Sequence, residues 1–259
     1  MRRMALLAAP LLLLPTLASA APDDPDVHID PHADAVMHKM SDYLSGLQTV
    51  RLRAESTTDY VTPGGQKIQS VAAQQLTLKR PNAFRSERQD PMVDAVVRYD
   101  GKQLSIYGKR TGYYAVAPMP PTLTEALDVA RSRYDVDAPA GDLFVDDPYG
   151  QMMEDVQTGD YIGLEPIDGI PAHHLAFVGR EVDWQIWIAD GPHPFPLRYT
   201  ITSKLEKSQP EFVVQLSHWQ PDVTVPADFF VFTPPPGATR IQLQAANPNP
   251  THQGRRGAP

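Results

Sequence analysis

The chain has 259 residues, a formal net charge of −8 and no cysteine. That charge gives no electrostatic footprint for nucleic acid or for anionic lipid headgroups. The missing thiols exclude a disulfide framework, thiol chemistry and lipid attachment through an N-terminal cysteine.

Arg2 and Arg3 precede an apolar run, Met4 to Ala18, that Pro10 and Pro15 interrupt. Ala18-Ser19-Ala20 then supplies the small residues a signal peptidase reads. This order predicts a cleaved secretory leader over residues 1–20, with the mature chain starting near Ala21. A spanning helix needs ~20 apolar residues and tolerates two prolines poorly. The expected mature protein is therefore soluble, without a transmembrane segment: in the periplasm of a Gram-negative cell, or released from a cell with one membrane. Residues 21–29 read as a flexible linker and residues 30–243 as a single domain. The polar, proline-punctuated end, residues 244–259, reads as a disordered tail.

Asp30-Pro31 is an N-cap followed by proline at the first helical position. Ala33, Val36, Met37, Met40, Leu44 and Leu47 follow at helical spacing, so one face of this helix must lie on something. From Val50 the period changes to two. Val50, Leu52, Ala54 and Tyr60 alternate with Arg51, Arg53, Glu55 and Asp59, as in a strand with one wet face. Pro63-Gly64-Gly65 turns the chain, and Ile68, Ala72, Leu76 and Leu78 mark the return. A third strand is expected over Phe84 to Arg88. A hairpin is expected over Ala95 to Tyr99 and Gln103 to Tyr107, turning at Asp100-Gly101. Thr111 to Ala117 is the next strand.

Pro118 to Pro121 ends this run. Thr122 to Glu125 fits a capping box, with Leu123, Ala126, Leu127 and Ala130 as the helical stripe behind it. Asp147-Pro148 starts a second short helix, to about Asp155. Strands resume at Tyr161. His173, Leu175 and Phe177 alternate, then Trp184, Ile186 and Ile188, then Leu197, Tyr199 and Ile201, then Phe212, Val214 and Leu216. The sum is an α+β chain, mainly β, with about ten antiparallel strands. So much one-faced sheet must curl to enclose its apolar side. The expected fold is a strongly curved half-barrel whose helices plug the concave face.

Motifs for chemistry are weak. His173 and His174 are neighbours on a strand and point to opposite faces, so they cannot share a metal. Asp135, Asp137, Asp142, Asp146 and Asp147 form an acidic run, but a calcium loop would want glycine where Ala140 stands. No Gly-x-Ser-x-Gly elbow occurs. No cofactor, metal site or catalytic residue is expected from the sequence.

The segments "KMSDYLSGLQTVRLRAE", "YDGKQLSIY", "YYAVAPMPPTLTEALD", "DGIPAHHLAF", "DWQIWIADGPHPFPLRYTIT" and "FFVFTPPPGA" resemble a family of predicted periplasmic proteins that is a domain of unknown function. The match covers nearly all of residues 34 to 241. The order of leader, helix, meander, helical insertion and second meander resembles the wider LolA and LolB lipoprotein-carrier superfamily. That resemblance implies a LolA-like domain that binds acyl chains in a cavity. The expected function is a periplasmic carrier for a lipid or other amphiphile, held between sheet and helical lid. The alternatives are a cell-envelope interaction or sensor protein with a filled core, and an unrecognised hydrolase. A carrier would line one continuous apolar space with Leu52, Leu76, Phe84, Ile106, Trp184, Ile186, Leu197, Tyr199, Phe212 and Leu216. A solidly filled interior would count against the carrier reading and put the interaction protein in its place.

Overall fold

The computed structural model describes residues 28–243 apart from 135, 137, 139 and 207. The expected leader over 1–20, the first seven residues of the expected linker and the expected tail over 244–259 lie outside the described residues, as do Asp135 and Asp137.

Strand β1 (His28–Ile29) and helix α1 (Pro31–Gly46) lead into a first meander. It comprises β2 (Thr49–Val61), β3 (Lys67–Lys79), β4 (Ala83–Gln89), β5 (Asp94–Tyr99), β6 (Gln103–Gly108) and β7 (Tyr113–Pro118). The insertion contains α2 (Leu123–Tyr134), a 3-10 turn at Gly141–Phe144 and α3 (Pro148–Met153). A second meander follows: β8 (Val156–Ile167), β9 (Ile170–Gly179), β10 (Val182–Ala189), β11 (Pro196–Ser203) and β12 (Glu211–Pro221). Strand β13 (Thr239–Arg240) comes last.

All 13 strands form one open, curled sheet in the order β1-β8-β9-β10-β11-β12-β2-β3-β4-β5-β6-β7-β13. The two meanders meet where β12 pairs with β2. The expected mainly-β, strongly curved sheet is the one observed, with two differences. The strands number thirteen rather than about ten, and the sheet is not wholly antiparallel. Strands β1 and β13 each pair in parallel, over two residues, with β8 and β7 at the two outer edges. Ile29, read as linker, is thus part of an edge strand. Two residues are too few to carry a period.

The pairing puts Val50, Leu78, Phe84, Tyr99, Leu104 and Ala117 in one row across six strands. All six belong to or pack against the main apolar cluster on the concave side. Because side chains alternate, the next row faces outward. The turn at Asp100-Gly101 forms as expected. Asp100 accepts from the amides of Lys102 (3.0 Å) and Gln103 (2.9 Å). Gly101 has φ +85, and a Cβ there would meet the Asn82 amide at 2.6 Å. Only glycine serves at that corner.

Helix α1 starts where its cap predicts. Asp30 Oδ1 accepts from the amides of His32 (2.7 Å) and Ala33 (3.1 Å). Its buried face is Ala33, Val36, Met37, Met40, Ser41 and Leu44. Helix α2 also starts at its expected box: the Glu125 amide donates to Thr122 Oγ1 at 3.2 Å, and the Thr122 hydroxyl donates to Glu125 Oε2 at 2.9 Å.

Candidate ligand site

The sequence placed ten apolar residues on the wall of an open space. Leu52, Trp184, Ile186, Tyr199 and Leu216 are buried in the main cluster, and Leu76, Phe84, Ile106 and Phe212 pack against it half-buried. Nine of the ten therefore share the concave side, but the space before them is filled. Ile186 is 0% exposed, as are Met37 and Met40 of α1 and Leu143 of the 3-10 turn within the same cluster. Phe177 stacks on Trp184 at 4.1 Å, and Tyr199 meets it edge-on at 5.7 Å. Burial pushes the Tyr199 hydroxyl well above its ordinary range.

Leu197 is the exception. The register of β10 and β11 slips between Trp187 and Ile188, pairing Trp187 with Arg198 and Ile188 with Pro196. Leu197 is the extra residue of this bulge, and it packs with Ala172, Trp187 and Ala189 on the other face. A period of two cannot anticipate a bulge, which reverses the faces that follow it.

The plug is held unevenly. Helix α1 inserts Val36, Met37, Met40 and Leu44 into the core. Each such side chain contributes about 1.5–3 kcal/mol on burial. Helix α2 buries only Leu123, Ala126 and Ala130. An alanine methyl contributes only about 0.8 kcal/mol. The fasteners differ as well. The Tyr149 amide donates to Ser41 Oγ at 3.0 Å, and the Tyr149 hydroxyl donates to Asp34 at 2.5 Å, joining α3 to α1. Burial, then that carboxylate, pushes the Tyr149 hydroxyl up to about 12.

The start of α2 instead depends on Asp146. Thr124 and Asp146 meet through two bonds of 3.4 Å. Asp146 takes Arg80 at 3.5 Å, and Arg80 also reaches the Leu44 carbonyl at 3.4 Å. These distances lie at the outer limit of hydrogen bonding. Burial lowers the pKa of Arg80. Tyr99 pins the entry to the helix by donating to the Pro120 carbonyl at 2.5 Å.

A cavity of about 480 Å³ opens at the far end of α2. Its walls are Val116, Ala117 and Pro118 of β7, Tyr134 of α2, and Arg240 to Leu243 at the end of the described chain. Ala117 is a core residue, and Tyr134 and Leu243 pack on the same core. None of the ten expected wall residues lines it. The sequence pattern missed it because its walls come from a sheet edge, a helix end and a two-residue strand.

The histidine pair divides between the two faces, as alternation requires. His173 lies at the concave rim, with Nδ1 3.1 Å from the Tyr161 hydroxyl and Nε2 3.2 Å from Asp190. His174 is buried on the convex face, stacked on Trp187 at 4.1 Å. Its ring nitrogens meet Glu165 at 3.1 Å and Gln185 at 3.0 Å. Trp187, one residue on from the inward Ile186 and so on the opposite face, is buried there and donates to Glu165 at 2.8 Å. The hydrogen bonds from Trp187, then His174, lower the Glu165 pKa. Among the described residues, no group of three histidine or acidic side chains is placed to hold a metal.

Geometry thus defines a curled sheet, a fixed helix, a shallow helix and an edge cavity. The chain belongs to the family described as "Predicted periplasmic protein (DUF2092)", matched over residues 33–244. The periplasmic placement expected from the leader is the one this family describes. No curated protein matches the chain. Among solved structures it is similar to the lipoprotein LppX of Mycobacterium tuberculosis, with 16% identity over 76% of this chain and 100% of that one, at a TM-score of 0.49. It is similar to LprF from Mycobacterium bovis, with 19% identity over 76% and 97% and a TM-score of 0.49. It is also similar to a LolA superfamily protein from Nitrosomonas europaea, with 12% identity over 77% and 97% and a TM-score of 0.36.

Proposed function

We propose that the protein binds and carries an amphiphile in the periplasm, admitting its apolar tail beside α2. The observation that carries this reading is the 480 Å³ cavity at the end of that helix, which borders the apolar core. Its volume falls in the range of small-molecule sites, about 300–1,000 Å³. The exposed lining of the cavity is about as polar as it is apolar, and Arg240 and Gln242 supply polar groups for a head. The energetics favour the same element. A tail of about a dozen methylenes gains about 10 kcal/mol gross on burial, at ~0.8 kcal/mol each, before ordering costs. The buried leucine and two alanines of α2, with Val129 and Tyr134 half-buried against the same core, resist displacement with roughly 6 kcal/mol. The filled core is the outcome that by itself favours an interaction protein; on the carrier reading it is the resting state, and ligand replaces the shallow helix rather than entering an empty barrel.

Uptake of a fluorescent fatty acid tests the reading, together with native mass spectrometry of protein purified from its own periplasm. Ile241→Glu places a charge on the cavity wall at a half-exposed position. It should reduce uptake by about tenfold or more while the thermal midpoint holds. No uptake by the wild-type chain would sink the proposal.

The second reading, a cell-envelope interaction protein, draws on the filled wall and on the outer edge of β8. Among the described residues, strand β1 covers β8 only at Thr158 and Gly159, and Ile162 and Leu164 are exposed beyond it. An uncovered edge with apolar side chains is a place for strand addition by an extended peptide.

A further inference from the structure

The motif Phe229-Phe230-Val231-Phe232 plays no part in the amphiphile site. It crosses the convex face, where the register sets Gln220, Arg51, Thr77, Arg85, Arg98 and Ser105 in one row across five neighbouring strand pairs. Half of this row is arginine, in a chain of net charge −8. Arg85 stands directly opposite Arg98, and facing like charges destabilise a strand pair. Burial, then Arg85, lowers the pKa of Arg98. Such an arrangement is costly unless something answers the charge.

The phenylalanines answer part of it. The Phe229 ring centre lies 4.6 Å from Cζ of Arg85 and 5.9 Å from Cζ of Arg51, and Phe232 lies 5.9 Å from Arg98. A ring takes the face of a guanidinium and leaves its edge donors for an oxyanion. Arg51, Gln75, Thr77, Arg85, Glu87 and Phe229 line a cavity of about 210 Å³ on this face. Thr77, 2% exposed, accepts from Arg51 Nε at 3.2 Å and so orients that fork. Arg85 donates from one terminal nitrogen to Glu87 at 2.6 Å. Its buried Nε has no hydrogen-bond partner among the described residues. An unpaired buried donor on a cation is costly, and an acceptor in the cavity would relieve it. Glu87 is the competitor, and it is shared with Lys109 at 3.1 Å.

We propose that this convex cavity binds a phosphate-class oxyanion through the edges of Arg51 and Arg85, with Phe229 as its wall. Paired guanidinium forks match the geometry of such an anion. The site stands apart from the α2 cavity, on the opposite face of the sheet, and does not depend on it. The anion can be free phosphate or the head of an anionic lipid.

The exported chain is titrated with inorganic phosphate by calorimetry at constant ionic strength, with chloride as the balancing anion. Wild-type protein should bind saturably. The double variant R51Q/R85Q should bind at least about tenfold more weakly. E87Q should bind several-fold more tightly, because the amide releases Arg85. Circular dichroism melts check that each variant is folded. Cosedimentation with phosphatidylglycerol vesicles, against phosphatidylcholine vesicles, then separates the sources. Retention that R51Q/R85Q loses assigns a lipid head, and phosphate binding without retention assigns the free anion. Either result sustains the site. The site is refuted if neither wild type nor E87Q binds phosphate saturably, or if R51Q/R85Q binds it as wild type does.

Discussion

Helices α1 and α2 lie on the same concave side, and both read in the sequence as one-faced stripes. They are not held alike. Helix α1 buries two methionines completely and is capped by Asp30 and cross-tied through α3. Helix α2 has its own capping box and the Tyr99 bond at its entry, but it buries only one leucine and two alanines, and its ties to the rest of the plug are bonds of 3.4–3.5 Å around Asp146. Periodicity says which face of a helix turns inward. The size of the residues on that face, and the fasteners at its ends, decide how deeply it is held. By this difference α1 is the more deeply held of the two, and α2 is the element proposed as the cover.

The largest expected effect is in α1. Met37→Ala removes a side chain with no exposed surface and leaves a cavity against the sheet. Urea denaturation should show a loss of about 3 kcal/mol. Leu123→Ala in α2 should behave otherwise. Once its anchor is gone the helix can undock, so the global loss cannot exceed the helix's own docking energy. Hydrogen exchange should show opening of residues 123–134 made easier by about 2 kcal/mol, with α1 unchanged. An equal rise in exchange across both helices would break the comparison.

Asp30→Ala should cost about 1 kcal/mol by removing the cap of α1. Asp146→Asn should cost up to about 1 kcal/mol, since the carboxylate is half-exposed but its partner Arg80 is nearly buried and loses its counter-ion. It should still raise exchange at the start of α2 and speed probe uptake.

The smallest effect concerns pH on the convex face. Glu165 has its folded pKa lowered by Trp187 and then His174. The unfolded chain therefore binds protons first as pH falls. The stability Glu165 contributes is present above the ordinary carboxylate range and is lost as pH falls through its lower folded value. In Glu165→Gln the acid limb of the stability curve should be shallower, and the neutral region nearly unchanged.

Much of this frame was legible in the sequence because it rests on periods and local turn chemistry. Asp30-Pro31, the methionine stripe, Asp100-Gly101 and the opposed histidines each state their geometry within a few residues. The edge strands were not legible, because two residues at 28–29 and 239–240 show no alternation. Leu197 was placed on the wrong face because a bulge is a property of the pair, set by where Trp187 and Pro196 find their partners. The edge cavity was missed for a related reason: its walls are brought together only by parallel pairing of the chain's end with β7. Nine of the ten expected wall residues face inward, and helices were expected to plug that face, but periodicity does not say how closely a plug packs against the wall.

The central claim is that α2 is the movable cover of an amphiphile-binding interior. Hydrogen exchange of the two helices, with and without a saturating twelve-carbon fatty acid, tests it most directly. The account predicts that α2 exchanges far faster than α1 in the ligand-free protein. Added fatty acid should change exchange at α2 and at the cavity walls, residues 115–118 and 240–243, while leaving α1 unchanged. Equal protection of the two helices, with no response to the fatty acid at either, would contradict it.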